Sequence, residues 1–206
     1  MISTDSALTI DDAGWCAVAR RADCSNFDAR PIGTEVSLLV IHNISLPPGE
    51  FGGAWIEDLF ANRLDCDAHP YFHQLRGLRV SAHFLIRRDG RIVQFVSTED
   101  RAWHAGVSAF KGRERCNDFS IGIEIEGSDE TEFCDAQYQS LTALAAALLR
   151  RHPISNVRGH EHIAPGRKTD PGPHFDWARF RANLSALQNI APFSDHKSLP
   201  QVSFPT

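Results

Sequence analysis

The sequence predicts a single α/β domain in which helices flank a central mixed β-sheet. The chain has 206 residues, a length typical of one domain with elaborations. Its composition, 42% hydrophobic and 23% charged, is that of an ordinary globular protein and argues against a disordered or coiled-coil chain. Strand-like and helix-like segments alternate along the chain, as in α/β folds. We place the domain at residues 1–190 and a loose, proline-containing tail at residues 191–206.

The first third of the chain contains one strong strand signal. Residues 36–41 (VSLLVI) are a continuous apolar run rich in branched side chains, typical of a strand buried on both faces, and His42 follows directly. Residues 43–53 are rich in proline and glycine and predict a loop. The spacing of apolar residues predicts short helices at residues 14–21 and 55–64.

The middle of the chain predicts a β-hairpin and a further strand. An Asp-Gly pair at residues 89–90 lies between apolar runs at residues 82–86 and 92–96, which is a strong hairpin signal. Residues 101–118 are polar and irregular. In residues 120–126 (SIGIEIE) three isoleucines alternate with glycine and glutamate, so the isoleucines face one side of a strand.

The last third predicts two helices separated by a short strand. Residues 135–151 carry an apolar stripe at helical spacing, with Asp135 as a cap and basic residues at the end. Residues 157–159 predict a short strand that leads into His160. A final helix is predicted at residues 176–187.

Charge and hydropathy exclude several function classes. The formal net charge is −5, which argues against binding nucleic acid through its phosphates. The longest apolar stretch, residues 141–149, is about half the roughly 20 residues that a membrane span needs. The N-terminus has no basic or apolar signal segment, and the five cysteines form no C-x-x-C pair. We therefore expect a cytoplasmic protein with reduced thiols, acting away from membranes and as a monomer.

Candidate metal ligands stand where apolar elements give way to loops. His42 follows the first strand, His160 and His162 follow the strand at residues 157–159, and Asp170 precedes a proline. Two imidazoles and one carboxylate suit Zn²⁺ with a fourth position open for water. The spacing alone does not separate His160 from His162. It also leaves His42 as an ordinary hydrogen-bonded strand end and Asp170 as a turn residue.

Three further charged groups are candidates for chemistry. Glu124 and Glu126 share one face of a largely apolar strand, where a carboxylate is costly unless it is paired or functional. The alternative is an edge strand whose outer face is in water. Lys168, two residues before Asp170, has the position to place an ammonium where charge develops on a carbonyl oxygen, although a solvated loop lysine is commoner.

Four long segments carry a family resemblance: SLLVIHNISLPPGEFGG, LRVSAHFLIRRDGRIVQ, RAWHAGVSAFKGRERCNDFSIGIEIEG and GHEHIAPGRKTDPGPHFDW. Together they resemble the zinc N-acetylmuramoyl-L-alanine amidases, the family of phage T7 lysozyme, the peptidoglycan-recognition proteins and the cytoplasmic amidases of anhydromuropeptides. The resemblance covers residues 15–181. It implies a central mixed sheet flanked by helices, with one Zn²⁺ per chain in a surface groove.

The resemblance also implies a role for each candidate. The metal ligands fall on His42, His160 and Asp170, which leaves His162 outside the ligand set. The catalytic glutamate and lysine of the family fall on Glu124 and Lys168. The implied substrate-contacting positions are Asn43, Arg79, His104 and Arg115.

The implied reaction is hydrolysis of the amide between the lactyl group of anhydro-N-acetylmuramic acid and L-alanine, a step of peptidoglycan recycling that indirectly limits β-lactamase induction. The expected partner is therefore a small anhydromuropeptide. Two alternatives are a peptidoglycan-binding module without catalysis and an exported amidase acting on the polymeric wall. The complete ligand set argues against the first alternative, and the expected lack of a signal peptide argues against the second.

Overall fold

The computed structural model describes residues 8–189 and 199–205. The strands are β1 (Arg20–Arg21), β2 (Phe27–Ala29), β3 (Leu38–Ile44), β4 (Phe84–Ile86), β5 (Ile92–Gln94), β6 (Asp100–Ala102), β7 (Ala109–Phe110), β8 (Arg113–Glu114), β9 (Ser120–Glu126) and β10 (Asn156–Gly159). The α-helices are α1 (Trp55–Phe60), α2 (Asp135–Arg151), α3 (His160–Ile163) and α4 (Trp177–Asn189), and 3₁₀ helices lie at Pro70–Leu75 and Cys116–Phe119.

The main sheet has the strand order β1-β5-β4-β9-β3-β10. Its central strands β4, β9, β3 and β10 are parallel, and β5 pairs antiparallel with β4. The mixed sheet that the sequence predicts is therefore confirmed. Two small antiparallel ladders, β2–β6 and β7–β8, lie outside the main sheet.

Each face of the central strands is covered by a different layer. The isoleucines of β9 pack in one apolar cluster with side chains of α2 and α4, including Leu144, Leu148 and Phe180. On the opposite face, Leu38 and Val40 of β3 pack against the irregular region and α3. Both layers exclude water from the centre of the sheet, so a polar group there needs a partner or a function.

The local patterns of the hairpin, β9 and α2 predicted these elements correctly. The turn between β4 and β5 contains Gly90, at φ 83°, where an added Cβ would lie 2.8 Å from the Ala136 carbonyl oxygen. Helix α2 has the predicted bounds, but Asp135 is its first residue and Cys134 is the cap. Gln137 accepts the Cys134 N–H through its side-chain oxygen at 2.9 Å.

The predicted helix at residues 14–21 is wrong. This segment forms turns and then β1, which pairs in parallel with β5. Gly14 has φ 79°, and the Cys16 N–H donates to the Gln94 side chain at 2.7 Å. Backbone groups of this segment therefore find hydrogen-bond partners at the edge of the sheet instead of within a helix. These bonds outweigh the weak helical spacing of the apolar residues in the segment.

The first strand is longer than the sequence predicts. β3 continues through His42 and Asn43 to Ile44, because β9 pairs with it residue for residue from Leu38 to Ile44. The predicted loop therefore starts after Ile44. Helix α1 is shorter than predicted and ends at Phe60.

The irregular region and the end of the chain also differ from expectation. Residues 101–118 contain parts of β6, the ladder of β7 and β8, and the start of a 3₁₀ helix. Part of the predicted loose tail, residues 190–198, lies outside the described residues. Residues 199–205 pack against the domain: Leu199 is buried, and Ser203 forms a parallel bridge with Asn156. Within the described part of the chain, no helix combines the length and the apolar character needed to cross a membrane.

A buried histidine follows α2 and contributes to stability. The Nε2 atom of His152 lies 2.9 Å from the Thr98 hydroxyl, and burial lowers the pKa of His152 to about 4. Between about pH 6.5 and pH 4, His152 is therefore protonated in the unfolded chain and neutral in the folded chain. Stability from this group is present above pH 6.5 and is lost as the pH falls to 4.

We predict that His152→Gln reduces the pH dependence of stability. Between pH 7 and pH 5 the native protein should lose about 2 kcal/mol more unfolding free energy than this variant, because the variant has no imidazole to protonate on unfolding. Urea titrations at both pH values measure the difference. His73→Gln, at an exposed histidine, is the control and should behave as the native protein does. Equal pH dependence in the native protein and His152→Gln would contradict the prediction.

Candidate metal centre and active site

Two histidines and one aspartate meet at the centre of the molecule. The Nδ1 atoms of His42 and His160 are 3.0 Å apart, and they lie 2.9 Å and 3.1 Å from Oδ2 of Asp170. The histidines are 1% and 3% exposed, so the pair is removed from water. This is the only group of three or more potential metal-ligating side chains within residues 8–189 and 199–205. The structure thus brings together the three side chains that the family resemblance implies as metal ligands.

The sheet explains why these residues meet. β10 pairs with β3 so that Gly159 lies beside Ile41. His42 follows Ile41 within β3, and His160 follows Gly159 as the first residue of α3. A Cβ at Gly159 would lie 2.6 Å from the Pro171 ring, so the loop that follows Asp170 packs directly on this glycine. The Glu161 N–H also donates to the Asp170 carbonyl at 3.0 Å. These contacts hold the carboxylate against the histidine pair.

The electrostatics of the three side chains suit a divalent cation. Burial lowers the pKa of His42 to about 4, and the nearby Asp170 offsets this only in part, so the imidazole is neutral at pH 7. Burial opposes ionisation of Asp170, but the two histidine rings beside its Oδ2 atom outweigh burial and hold the pKa of Asp170 below its usual range. Two imidazoles and one carboxylate are the donor set of an open zinc site.

The two nearby histidines, His160 and His162, have different surroundings. His160 and His162 lie on the short helix α3 and not on a strand, so side chains two residues apart point in different directions. The Nδ1 atom of His162 accepts the Gly159 N–H at 3.0 Å, and its ring packs on Trp177. His162 therefore lies outside the donor set.

Glu124 is placed beside the first ligand. β9 lies between β4 and β3, so the edge-strand alternative is wrong, and Glu124 pairs in register with His42. Its Oε2 atom is buried without a hydrogen-bond partner among the described residues. Burial raises the pKa of Glu124 well above its usual value, and the charge of Asp170 adds to this, while Lys168 opposes it. A buried, unpaired carboxyl group with a raised pKa is typical of a general acid or base.

Glu126, on the same face of β9, has a different environment. Its Oε1 atom accepts hydrogen bonds from Arg87 at 2.8 Å and from the Gly52 N–H at 2.7 Å, and Oε2 accepts from the Arg88 N–H at 3.1 Å. Arg87 also pairs with Glu57 at 2.9 Å. Glu126 is therefore a fully bonded structural carboxylate, and Glu124 is the free one.

Comparison with known proteins identifies the family. Residues 32–173 match the N-acetylmuramoyl-L-alanine amidase family. The chain belongs to this family. One relative of the amidase, the 1,6-anhydro-N-acetylmuramyl-L-alanine amidase AmpD of Citrobacter freundii, is 62% identical over 173 residues, covering 83% of this chain and 92% of that protein.

Solved structures agree with the fold of the amidase. A crystal structure of a selenomethionine derivative of AmpD superposes with a TM-score of 0.82 at 62% identity and covers 84% of this chain and 98% of that one. The amidase AmiD of Escherichia coli, solved in complex with anhydro-N-acetylmuramic acid-L-Ala-D-γ-Glu-L-Lys, superposes with a TM-score of 0.54 at 29% identity. That match covers 86% of this chain and 65% of the AmiD chain.

Lys168 lies on the exposed loop between two ligands of the amidase. Burial is the main cause of the lowered pKa of His42 and of the raised pKa of Glu124; the charge of Lys168 adds to the first shift and opposes the second, so the ammonium lies near both groups. Its side chain forms no ion pair with any residue in the described part of the chain. The ammonium is therefore available to a substrate.

Two of the predicted substrate contacts of the amidase have internal partners instead. The Asn43 amide donates to the Pro171 carbonyl at 3.1 Å and to Asp129 at 2.6 Å, so it anchors the loop that carries Asp170. His104 is buried behind His42, with its Nδ1 2.9 Å from Nε2 of His42. These bonds give both residues a supporting position, and their contact with substrate stays a prediction.

The two predicted arginine contacts are exposed. Arg79 has no ion-pair partner among residues 8–189 and 199–205, and Arg115 lies 3.4 Å from Asp118. Arg115 has φ 59° and precedes the 3₁₀ helix that leads into β9. Their contact with substrate stays a prediction.

Several residues that support the two histidines through hydrogen bonds were not predicted from the sequence. Arg167 donates to the carbonyls of Ala105 and Val107 at 2.9 Å and 2.6 Å, and the Ala105 carbonyl also accepts from Nε2 of His160 at 3.1 Å. Because a carbonyl only accepts, Nε2 of His160 carries a proton and donates it to the Ala105 carbonyl. Gly122, the glycine in the alternating strand, could have indicated that a side chain packs directly on the backbone there. In the structure the His104 ring occupies the space that a Cβ at Gly122 would need.

We predict that His160→Ala weakens Zn²⁺ binding by more than about 100-fold, because losing a ligand costs more than losing a residue that hydrogen-bonds to a ligand. His162→Ala is the matched control and should keep one Zn²⁺ per chain. Competition with a chromophoric chelator measures both affinities. Unchanged zinc affinity in His160→Ala, or its loss in His162→Ala, would show that the wrong histidine is assigned.

Proposed function

We propose that this amidase hydrolyses the amide bond between the lactyl group of anhydro-N-acetylmuramic acid and L-alanine of the stem peptide, using one Zn²⁺. The observation that supports this most directly is the unpaired Glu124 carboxyl group beside the converging donors of His42, His160 and Asp170. The name of the Citrobacter freundii relative and the ligand of the AmiD complex support the anhydromuropeptide as the substrate class.

Zinc supplies two effects when it is bound at such a site: it lowers the pKa of a coordinated water toward about 7, and it polarises a carbonyl oxygen. Its holders would be Nδ1 of His42, Nδ1 of His160 and Oδ2 of Asp170, which already lie within 4.8 Å of one another. The three donors come from β3, α3 and the following loop, so the fold fixes their relative positions.

Glu124 is the proton carrier. Its raised pKa lets the carboxylate take a proton from the attacking water and release it to the nitrogen of the departing L-alanine. The buried Oε2 atom of Glu124 has no hydrogen-bond donor among the described residues, so none of them competes with the water proton for its lone pairs.

Lys168 stabilises the negative charge on the carbonyl oxygen of the tetrahedral intermediate. An oxyanion donor of this kind is worth on the order of 3 kcal/mol. The carboxylates of the stem peptide are bound by Arg79 and Arg115, since charge-assisted bonds from guanidinium groups suit carboxylates. Anhydromuropeptides arise during turnover of the wall, so the enzyme acts in the cytoplasm in peptidoglycan recycling and indirectly limits β-lactamase induction.

We predict that Glu124→Gln lowers turnover of anhydromuramyl-tripeptide at least about 100-fold, because the amide keeps the shape and loses the base. Zinc content and substrate binding should be retained. The control is Glu161→Gln, which removes a half-buried carboxylate next to a ligand histidine and should leave turnover unchanged. Mass spectrometry of released peptide measures the rates. Normal turnover by Glu124→Gln would remove Glu124 from the mechanism.

We also predict that the enzyme prefers the anhydro sugar over reducing N-acetylmuramic acid by at least roughly 100-fold in kcat/KM, or about 3 kcal/mol. The fused ring of the anhydro sugar differs in shape and lacks the free reducing end, so a fitted groove leaves polar groups unpaired with the wrong sugar. Competition between both substrates in one reaction, followed by chromatography, gives the ratio.

Arg115 and the loop of residues 111–117 are the proposed contacts to this sugar. Arg115→Ala should therefore reduce the preference, and Arg91→Ala, at an exposed arginine paired with Asp89, should leave it unchanged. Equal rates with both sugars would favour a general wall amidase.

A further inference from the structure

A chain of hydrogen bonds runs from a backbone carbonyl to the first metal ligand. The Ser120 hydroxyl donates to the Cys116 carbonyl oxygen at 2.6 Å. A hydroxyl has one proton, so the Ser120 oxygen can only accept from its second partner, Nε2 of His104 at 3.1 Å. His104 is therefore protonated on Nε2.

The next hydrogen bond in the chain joins His104 to His42. His104 is buried, and within the described part of the chain its two ring nitrogens contact only the Ser120 hydroxyl and another imidazole, so no carboxylate is there to hold a second proton on the ring. A neutral imidazole carries one proton, so Nδ1 of His104 is a bare acceptor. That atom lies 2.9 Å from Nε2 of His42, which must donate to it. The Nδ1 atom of His42 is then left with its lone pair directed at His160 and Asp170.

We propose that His104 and Ser120 are positioning residues that fix the tautomer of His42 and so make Nδ1 of His42 a metal ligand. The proposal rests on the zinc site of the proposed function, but it concerns where the protons lie in the protein before any metal binds. It assigns a role to the serine at the start of β9, a residue that the reaction itself does not use.

The packing of His104 supports a dedicated role. Its ring lies on the bare backbone of Gly122, in space that any side chain on this strand position would fill. The neighbouring His83 accepts the Gly122 N–H at 3.0 Å through Nδ1, so the backbone under the ring is also held in place. Ser120 is fully buried, and no water molecule is needed to complete its hydrogen bonds.

The test combines a mild variant with a direct observation of the protons. Nitrogen-15 NMR of the histidine rings in the metal-free native protein should show His42 and His104 protonated on Nε2. Ser120→Ala removes the acceptor for His104 Nε2–H, so binding of zinc at His42 leaves a buried donor unpaired. Zinc affinity should fall about 10- to 100-fold, the range typical of losing a residue that orients a metal ligand through hydrogen bonds.

Two further variants separate this effect from general destabilisation. Ser140→Ala removes an equally short buried bond, from a hydroxyl to the Gly90 carbonyl at 2.6 Å, on helix α2 and should leave zinc affinity unchanged. Ser120→Thr keeps the hydroxyl and should restore most of the zinc affinity. The zinc measurements use chelator competition and do not depend on amidase activity.

The outcomes are distinct. Each of three results would overturn the proposal. Ser120→Ala could bind zinc as tightly as the native protein, or Ser120→Ala and Ser140→Ala could lose equal amounts of zinc affinity. The third result is a native spectrum in which His42 is protonated on Nδ1. The native spectrum decides the matter even if Ser120→Ala does not fold. If the tautomers and affinities are as expected but anhydromuropeptide is not cleaved, then the proposed function fails and the positioning role stands.

Discussion

The pairing of β3 with β9 is the constraint on which the site depends. Seven residues of each strand pair in parallel register, and this pairing sets His42 beside Glu124 on one face of the sheet. Neighbouring strands lie about 4.8 Å apart, so the proposed metal ligand and the proposed proton carrier are brought within reach of the same small volume without a flexible loop between them. β10 lies on the other side of β3 and leads into His160, the second proposed ligand.

Burying this much polar surface in the centre of a sheet is costly, and the surrounding bonds show how the cost is limited. His83, His104 and Ser120 are all buried, and each has hydrogen-bond partners in the protein. Buried polar groups that are satisfied cost little, whereas one unpaired group costs about 1–3 kcal/mol. The exception beside the metal ligands is Glu124, whose carboxyl group is left unpaired where a substrate or water is expected.

Short-range patterns predicted the elements well and the site only in part. The isoleucine alternation gave β9, and the apolar stripe gave α2, because both depend on the sequence of the element itself. The residues alone left Glu124 and Glu126 equivalent, since the difference between them comes from Arg87, which lies 39 positions away. The family resemblance chose Glu124, and the structure supplies the physical reason. The role of Ser120 was not predictable, because the contact of His104 with Ser120 exists only in the folded chain.

The two glutamates of β9 also have a consequence for how the strand finds its partner. A slip of one residue against β3 would turn every side chain of β9 to the opposite face. Glu124 and Glu126 would then lie among the apolar side chains of α2, and Arg87 would lose its partner at the end of the strand. An uncompensated buried charge costs several kcal/mol, so misregistered sheets are strongly disfavoured. The bonds of Glu126 thus favour the observed register of β9 against β3, and Glu126 lies on the same face of the strand as Glu124.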